Sequence, residues 1–584
     1  MLNFKLKSNA IDPNSDKPLV AYLQSLGIED TDEFIIRPSI KNEISGEHLE
    51  NAMHTVLNLN KLFKENKKFF LIVDCDTDGY TSSAIFYNYF KSIFPNADIQ
   101  YMLHEGKQHG IELDKIPDDR EVIIVPDAGS NQIEELTILN AQKKYVFVID
   151  HHQVECKIPN LEFVTVVNNQ TSNEFTNKAL SGAGVVFKII QLYDTVFFTE
   201  KSRSSKFYDL AALGIIADFM DSKTLDNNYI IHRVLNNINN LMFKALIDKQ
   251  SYSIGSDMPT KMDVAFYIAP LINGTIRMGT IEEKELLFRG FIEQNHTEYY
   301  DHTWRGQITI EDFYHRAARI AFNVKNEQNR LKMKCLEFLK QRVNELHLDQ
   351  NKIIVVITKD NDEVPVPKTI TGLVAMELLK LYGKPSLVLR PVEVNGQITY
   401  AGSGRSNSYE ELPSFLDFVR EQEESVYAQG HACAFGASIK ASELDHFIQS
   451  CNDKMSHIDF SNDTIYVDAI FKDRINHYLI ADFARGKHIY GNQIPEPLIA
   501  IQTTISASNI MFMGADQKSV RITIGGVPCI KFKDDKLVQQ LKGITRAKVT
   551  IIGRPNLNNF KGIESAQIMI SNIDIEPLSS GGLF

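Results

Sequence analysis

"LIVDCDTDGYTSSAIFY", residues 71–87, sets an apolar run directly against three aspartates at alternate positions, Asp74, Asp76 and Asp78. The run "FFLIVD" (69–74) reads as a buried strand, and "TSSAIFYNYF" reads as a helix with Thr81 or Ser82 as its N-cap. The acids therefore fall in a strand-to-helix turn, with Gly79 permitting the reversal. Three further apolar runs follow, "EVIIVPD" (121–127), "YVFVID" (145–150) and "FVTVVN" (163–168), separated by helix-like segments near 80–93, 131–142 and 179–195. This alternation predicts an α/β domain with a mostly parallel sheet covered by helices on both faces.

The ends of these strands carry the chemistry. One ends on the aspartate triplet, the next on Asp127, and a third on Asp150, His151 and His152. Asp218 closes an apolar helical stretch, "LAALGIIADFMD". A single aspartate after a strand is ordinarily a turn former or a helix cap. Independent capping explains poorly why three strands share the feature, and why one of them adds two imidazoles. The carboxyl edge of an open α/β sheet is where ligands bind, and carboxylates gathered there repel one another unless a cation joins them. Oxygen donors with imidazole and no thiolate suit Mg²⁺ or Mn²⁺. The acids outnumber what one ion needs, so two divalent cations sharing a bridging carboxylate are expected. Such a pair, roughly 3.5–4 Å apart, serves phosphoester hydrolysis.

The remaining sequence sets bounds on this reading. A chain of 584 residues, 43% hydrophobic and 23% charged, can build two to four domains with sizeable cores. Residues 1–18 lack the apolar core of a signal peptide and no apolar run reaches membrane-spanning length, so a cytoplasmic protein without membrane association is expected. The 6 cysteines are scattered without a C-x-x-C pair, which argues against a disulfide framework and a structural zinc site. Net charge is −12, yet residues 461–584 carry 14 Lys plus Arg against 11 Asp plus Glu, or +3, leaving −15 elsewhere. Part of that acidity lies in the strand-end clusters, where a metal would neutralise it. After about Leu225 the pattern turns helical and ends in a long charged helix near 308–346. Just before that helix, "EYYDHTW" offers Tyr299, Tyr300 and Trp304 as base-stacking candidates, although a core role is the stronger expectation. A second β/α pattern runs through "KIIVVITKD" (352–360), "TGLVAMELLKLYG" and "PSLVLRPV". From about Asp463 the chain reads as all-β, suited to a small closed or partly closed OB-like barrel with a mobile tail, "EPLSSGGLF".

In order, "DCDTDG", "VPDAG", "DHH" and "ADFMD" resemble the four motifs of the DHH phosphoesterase superfamily. Within it, "GSGRS" (402–406) and "GHACAFG" (430–436) resemble the DHHA1 domain. "PLINGTIRMG" (270–279) and "YGNQIPEP" (490–497) are similar to segments of the RecJ exonucleases, which degrade single-stranded DNA from the 5′ end. The resemblance spans about Ile40 to Phe532. It implies Asp76, Asp78, Asp127, His151 and Asp218 as metal ligands, with Asp74 a ligand or its immediate support and Asp127 the bridge. It sets His152 near the scissile phosphate and Asp150 behind the imidazoles. It makes Ser403, Arg405 and the backbone around Gly402 and Gly404 a phosphate-gripping loop, with Gly430 and His431 in a companion loop. Asn273 and Arg277 match positions that touch the DNA strand.

The chain departs from the RecJ pattern in places that bear on substrate preference. "LHEGKQHG" (103–110) stands where an arginine and E-G-Y-G are usual, so that His104 replaces the arginine, His109 the tyrosine, and Lys107 can compensate. Leu271 replaces another arginine, and "GNQIPEP" carries two extra residues. The resemblance implies an N-terminal extension (1–40), a DHH catalytic domain (41–225), a helical region with connecting helix (226–346), a DHHA1 domain (347–455) and an OB-like nucleic-acid-binding domain (456–584). The expected activity is metal-dependent 5′-to-3′ hydrolysis of single-stranded DNA to nucleoside 5′-monophosphates in repair and recombination, by a monomer that can meet a single-strand-binding protein or helicase. Two other readings share the acidic motifs. A phosphodiesterase for short oligonucleotides or cyclic dinucleotides would need neither the 270–279 segment nor the barrel. An inactive DHH scaffold of a replication assembly would have lost ligands, whereas every motif acid is present.

Overall fold

The computed structural model describes residues 2–35, 38–106, 108–198, 203–235, 237–255, 258–292, 295–304, 306–394, 396–460, 464–472, 474–560 and 563–578. The last six residues of the expected tail lie outside this set.

Five parallel strands form the first sheet, in the spatial order Ile99–Leu103, Phe69–Val73, Val122–Pro126, Tyr145–Asp150, Val164–Asn168. Phe69–Val73 and Val122–Pro126 are buried along their whole length, as strands with both faces covered must be. Alternate side chains feed different cores: Leu71 and Val73 pack with the helices Ala52–Lys64, Thr77–Ile93, Gly182–Phe197 and Tyr208–Ala217, while Phe70 and Ile72 join Leu136 and Leu139 of Ile133–Ala141. From Phe69–Val73 the chain passes to one flank and then returns to the other at Val122–Pro126. The topological switch point, where a crevice opens at the carboxyl ends, lies between these two strands. They are the ones that end on Asp74 and Asp127.

The second sheet has the order Ser425–His431, Ala434–Lys440, Gln397–Arg405, Ser386–Val394, Ile354–Ile357, parallel only in its last pair. The helix Phe313–Glu345, 33 residues and about 50 Å long, joins the two units. Its Phe313, Ala317, Ala318 and Ala321 enter the first core, and Cys335, Leu339 and Val343 enter the second. The expected helix over 308–346 begins late, because Gln307–Asp312 pairs with Tyr299–Trp304 in a hairpin and Asp312 caps the helix through the His315 amide. The hairpin divides the tyrosines of "EYYDHTW": Tyr299 is 73% exposed, against the expected core role, while Tyr300 packs against the first core beneath the Arg316 guanidinium, 4.0 Å from ring centroid to carbon. The Trp304 side chain falls outside the described residues.

A seven-stranded sheet makes up the third unit, running Ala469–Lys472, Ile499–Ser506, Arg546–Phe560, Ile563–Pro577, Val527–Lys531, Ser519–Ile524, Ile510–Met513, with the helix His477–Arg485 packed on it. The N-terminal segment is no separate extension. Phe4–Leu6 pairs in parallel with Ile465–Val467, and Leu19, Tyr22, Leu23 and Phe34 are buried in the core of this third unit. Among the described residues, no helix is long and apolar enough to cross a membrane.

Candidate metal centre and strand cleft

At the switch point the acidic triplet is distributed over three supports. Asp74 follows the buried strand, and its Oδ1 accepts the Gly110 amide at 2.9 Å. Asp76 is the N-cap of Thr77–Ile93, with its Oδ1 accepting from the Gly79 amide at 3.0 Å. The helix thus starts earlier than the expected Thr81 or Ser82 cap, because a carboxylate at Asp76 already satisfies a first-turn donor. Asp78 lies in the first turn and is held by the neighbouring helix: its Oδ2 accepts the Gly182 amide at 2.6 Å and its Oδ1 the Ala183 amide at 3.0 Å. Those two amides open the helix Gly182–Phe197, whose N-terminus favours a negative charge. Gly79, expected to reverse the chain, is a helical residue. What it supplies is room, since a Cβ there would stand 2.6 Å from the Asp74 Cβ.

Asp127 sits in the left-handed region, φ 65°, and its Oδ1 is buried without a hydrogen-bond partner. A Cβ on Gly182 would approach that oxygen to 2.4 Å, and one on Gly214 would approach Asp78 Oδ1 to 2.2 Å. Only glycine at 182 and 214 lets the helix backbones come this close to the carboxylates. His151 Nε2 lies 3.1 Å from Asp127 Oδ1, 3.5 Å from Asp218 Oδ2 and 3.8 Å from Asp78 Oδ2. Asp218, after the helix Tyr208–Ala217, is partly open, its side chain 30% exposed. Three donor groups result: Asp74, Asp76 and Asp127; Asp78, His151 and Asp218; and Asp127 with Asp150, His151 and His152. Asp127 belongs to two of them, as a bridging carboxylate would.

Asp150 is differently employed. It accepts the Ser130, His151 and His152 amides and the His152 Nδ1, the last at 2.8 Å, and so orients the second imidazole. Asn168 steadies this arrangement by donating to Ser130 Oγ and the His152 carbonyl.

Electrostatics divide the acids in two. Burial, with the Asp76 charge second, pushes the Asp74 carboxyl up to about 8. Burial and then the Asp78 and Asp76 charges hold Asp127 and Asp218 well above the usual carboxylate range, and burial raises Asp78. Burial opposes ionisation of Asp150 too and is the largest single effect, but the hydrogen bond from His152, the charges of both imidazoles and the Ser130 contact together outweigh it and hold that carboxyl well below the range. Burial lowers both imidazoles; at His152 the hydrogen bond to Asp150 and the Asp150, Asp218 and Asp74 charges together overcome it and carry the group to about 9, whereas His151 stays lowered. Carboxylates this costly to ionise, an orphaned Asp127 oxygen and a donor set of oxygens with imidazole fit a hard divalent cation.

A cationic wall adjoins the acidic turn, where the Arg277 charge acts on Cys75. Asn273, on the helix Ala269–Met278, accepts from both the Thr77 amide and hydroxyl at 2.9 Å and so ties that helix to the acidic turn. In its last turn is Arg277, whose charge, after burial, helps lower the Arg405 guanidinium to about 10 and, with Lys332, the Lys325 amine to about 8. The "GSGRS" stretch is no loop. Gly402, Ser403 and Gly404 belong to the strand Gln397–Arg405, paired on both sides, so that their backbone serves the sheet instead of gripping phosphate. Their small size has a packing cause: a Cβ on Gly402 would meet the Val388 carbonyl oxygen at 2.0 Å, and one on Gly404 the Phe435 ring at 2.7 Å. Ser403 Oγ bonds Thr371 Oγ1 at 2.9 Å, and Arg405 Nη1 donates to the Gly404 carbonyl at 2.6 Å. Gly430, φ 136°, and the exposed His431 end the edge strand Ser425–His431, where Gln429 Nε2 reaches Glu155 Oε1 of the first unit at 3.5 Å.

His104, expected to contact substrate, is buried. Its Nδ1 lies 2.6 Å from Glu112 Oε1, its carbonyl accepts from Lys284 Nζ, and its side chain reaches no cleft. Its role is to brace the loop that delivers the Gly110 amide to Asp74. His109 is exposed on that loop, and Lys107 lies outside the described residues. Sequence reasoning missed the Gly182–Ala183 cradle and the Ser130–Asn168 brace; the small-residue start "SGAG" (181–184) was the available signal.

Residues 68–215 match the DHH family, N-terminal domain, and residues 468–572 match the RecJ OB domain. Over 569 residues the chain is 33% identical to the putative SPbeta prophage-derived single-strand DNA-specific exonuclease YorK of Bacillus subtilis (strain 168), covering 97% of each. It is 21% identical over 613 residues to the single-stranded-DNA-specific exonuclease RecJ of Escherichia coli (strain K12), covering 97% of this chain and 99% of the relative. The crystal structure of RecJ in complex with Mn²⁺ from Thermus thermophilus superposes with a TM-score of 0.72 at 17% identity, over 98% of this chain and 79% of that one.

Proposed function

Because the chain belongs to the family of RecJ-type single-strand-DNA-specific exonucleases, we propose that it is a metal-dependent exonuclease removing nucleoside 5′-monophosphates from the 5′ end of single-stranded DNA. The observation that carries this reading is the convergence of Asp74, Asp76, Asp78, Asp127, His151 and Asp218 at the switch point, around an Asp127 oxygen without a partner. Asp76, Asp78, Asp127, His151 and Asp218, with Asp74 as ligand or support, would hold two divalent cations, Mn²⁺ or Mg²⁺. Those ions supply an activated water and charge neutralisation for phosphodiester hydrolysis.

The protein's own groups do the rest. His152, oriented by Asp150 through its Nδ1, donates to a phosphate oxygen at the scissile position. Arg405 and Arg277, with the Ser403 hydroxyl, bind the terminal phosphate; the guanidinium fork matches it bidentately. Asn273 holds the acidic turn in register with that wall. Gly430 and His431 line the facing edge, and His109 the loop beside Asp74. The third unit holds the strand away from the cut, as OB-type domains do with basic grooves and aromatic platforms. A cytoplasmic monomer acting in repair and recombination, beside a single-strand-binding protein or helicase, is the setting this activity fits. The division into 41–225, 226–346, 347–455 and 456–584 serves that reading, and the pairing of Phe4–Leu6 with Ile465–Val467 supports counting the N-terminal segment with the last unit.

Single strands labelled at either end, digested with and without chelator, test the proposal. Release of label first from the 5′ terminus, only with divalent metal, is expected. Cleavage of cyclic dinucleotides alone would refute it.

A further inference from the structure

Directly after Asp218 the chain does something costly. Phe219 adopts φ 53°, in the left-handed region that a bulky residue rarely enters, and its ring is 50% exposed. The conformation is fixed from both sides. The Phe219 amide donates to the Ile216 carbonyl and the Met220 amide to the Ile215 carbonyl, while the Phe219 carbonyl accepts from the Asn492 side chain of the third unit. Opposite stands Phe266, 56% exposed, in a π-helical turn over Val264–Ile268. The two rings lie 6.3 Å apart at 75°. Left-handed outliers and π-turns both concentrate at functional sites, and here one of each presents an aromatic face to solvent.

The placement gives the pair a role. Phe266 is on the helical run that continues into Ala269–Met278. Along it, Phe266 touches the residue after Asp218, Asn273 binds the turn that carries Asp76 and Asp78, and Arg277 approaches Arg405. The run therefore spans the acidic row, with an aromatic wall at the Asp218 end and a cationic wall at the Asp74 end. Eleven residues separate Phe266 from Arg277, about 16 Å of helix. A strand whose terminal phosphate sits on the cations must leave the metal centre past the aromatic pair, toward the third unit that holds the Phe219 carbonyl.

We propose that Phe219 and Phe266 form a base-stacking subsite for the nucleotide just beyond the scissile phosphate, on the side away from the terminal phosphate. Stacking on an aromatic face tolerates any base, as sequence-independent digestion needs. This inference rests on the exonuclease reading.

The test uses the full-length protein with Mn²⁺ and 5′-phosphorylated single strands carrying one abasic nucleotide, moved along the first six positions. With wild type, KM rises about five- to a hundred-fold, the effect of losing one stacking contact, at the second position and not beyond. Phe219→Ala shows that rise on intact DNA and no further rise with the abasic strand, and Phe219→Trp restores wild-type behaviour. A flat abasic profile in wild type, or Phe219→Ala keeping both the wild-type KM and the full abasic penalty, overturns the proposal. Titration of Mn²⁺ affinity reports any displacement of Asp218. Should Phe219→Ala lose metal, Phe266→Ala, which adjoins no ligand in sequence, decides by the same two criteria. Absence of any digestion of single-stranded DNA by wild type would instead sink the underlying reading.

Discussion

Asp127→Asn is the most informative single change, because asparagine tolerates the left-handed backbone and keeps the side-chain shape while removing one charge. In metal-free protein the raised acids make stability fall with pH. Asp74 titrates at about 8 against an ordinary 3.8, so between those values the folded state binds the proton that the unfolded state has already released. Stability from this group is complete below pH 4 and is lost as pH rises through 8. From pH 5.5 to 8 the loss is at most ~3 kcal/mol, at about 1.4 kcal/mol per pH unit. For a unit of some 200 residues this is a fall of ~6–12 °C in Tm. Mn²⁺ at a hundred times its Kd returns about 2.7 kcal/mol by mass action, or ~5–10 °C. Thermal scans of chelated and Mn²⁺-loaded protein at pH 5.5 and 8 measure both effects. Asp127→Asn should show a shallower pH slope without metal, less than half the Mn²⁺ shift, and background exonuclease activity. The reasoning is refuted if the variant keeps the wild-type pH slope and the full Mn²⁺ shift, since the carboxylates would then not be opposing one another around a cation site.

Three other outcomes follow from named contacts. Arg405→Ala should weaken binding of 5′-phosphorylated strands by about 10- to 100-fold, the worth of a hydrogen bond to a charged group, with 5′-hydroxyl strands nearly unaffected in competition assays; equal losses on both ends would remove its terminal-phosphate role. Lys261, fully buried where the "YGNQIPEP" stretch docks, donates to the Ile489 carbonyl, and burial depresses its amine to about 7. Between pH 7 and its ordinary 10.5 the unfolded state binds the extra proton, so Mn²⁺-loaded wild type should gain Tm from pH 7 to 9, and Lys261→Met should not. Tyr22→Ala, which removes a buried ring packed edge-on against Phe483 and Tyr490 with its hydroxyl on the Pro495 carbonyl, should cost about 3–5 kcal/mol. Proteolysis should then open the C-terminal unit faster, although the change lies 473 residues upstream of Pro495 in the chain.

The sequence by itself determined which residues end the central strands and which acids meet there. Strand periodicity and the apolar-then-acidic pattern are local properties, and a parallel sheet converts them into one crowded edge at the switch point without further information. The order of four motifs likewise pointed to the family. Tertiary structure decided what no local pattern carries. Asp76 caps its helix locally, through an amide three residues on, but Asp78 was completed by Gly182 and Ala183, more than 100 residues away. "GSGRS" reads as a loop because glycines are turn formers, yet strands on both sides and the Val388 carbonyl leave room for nothing larger. His104 carries the same imidazole whether it faces a strand or Glu112; only the packing of the loop chose the latter. The N-terminal residues look detachable until Phe4–Leu6 meets Ile465–Val467. For Asp78, for the paired glycines and for the N-terminal strand the deciding partner is distant in sequence, and contact energies between distant segments exist only once the chain has closed on itself.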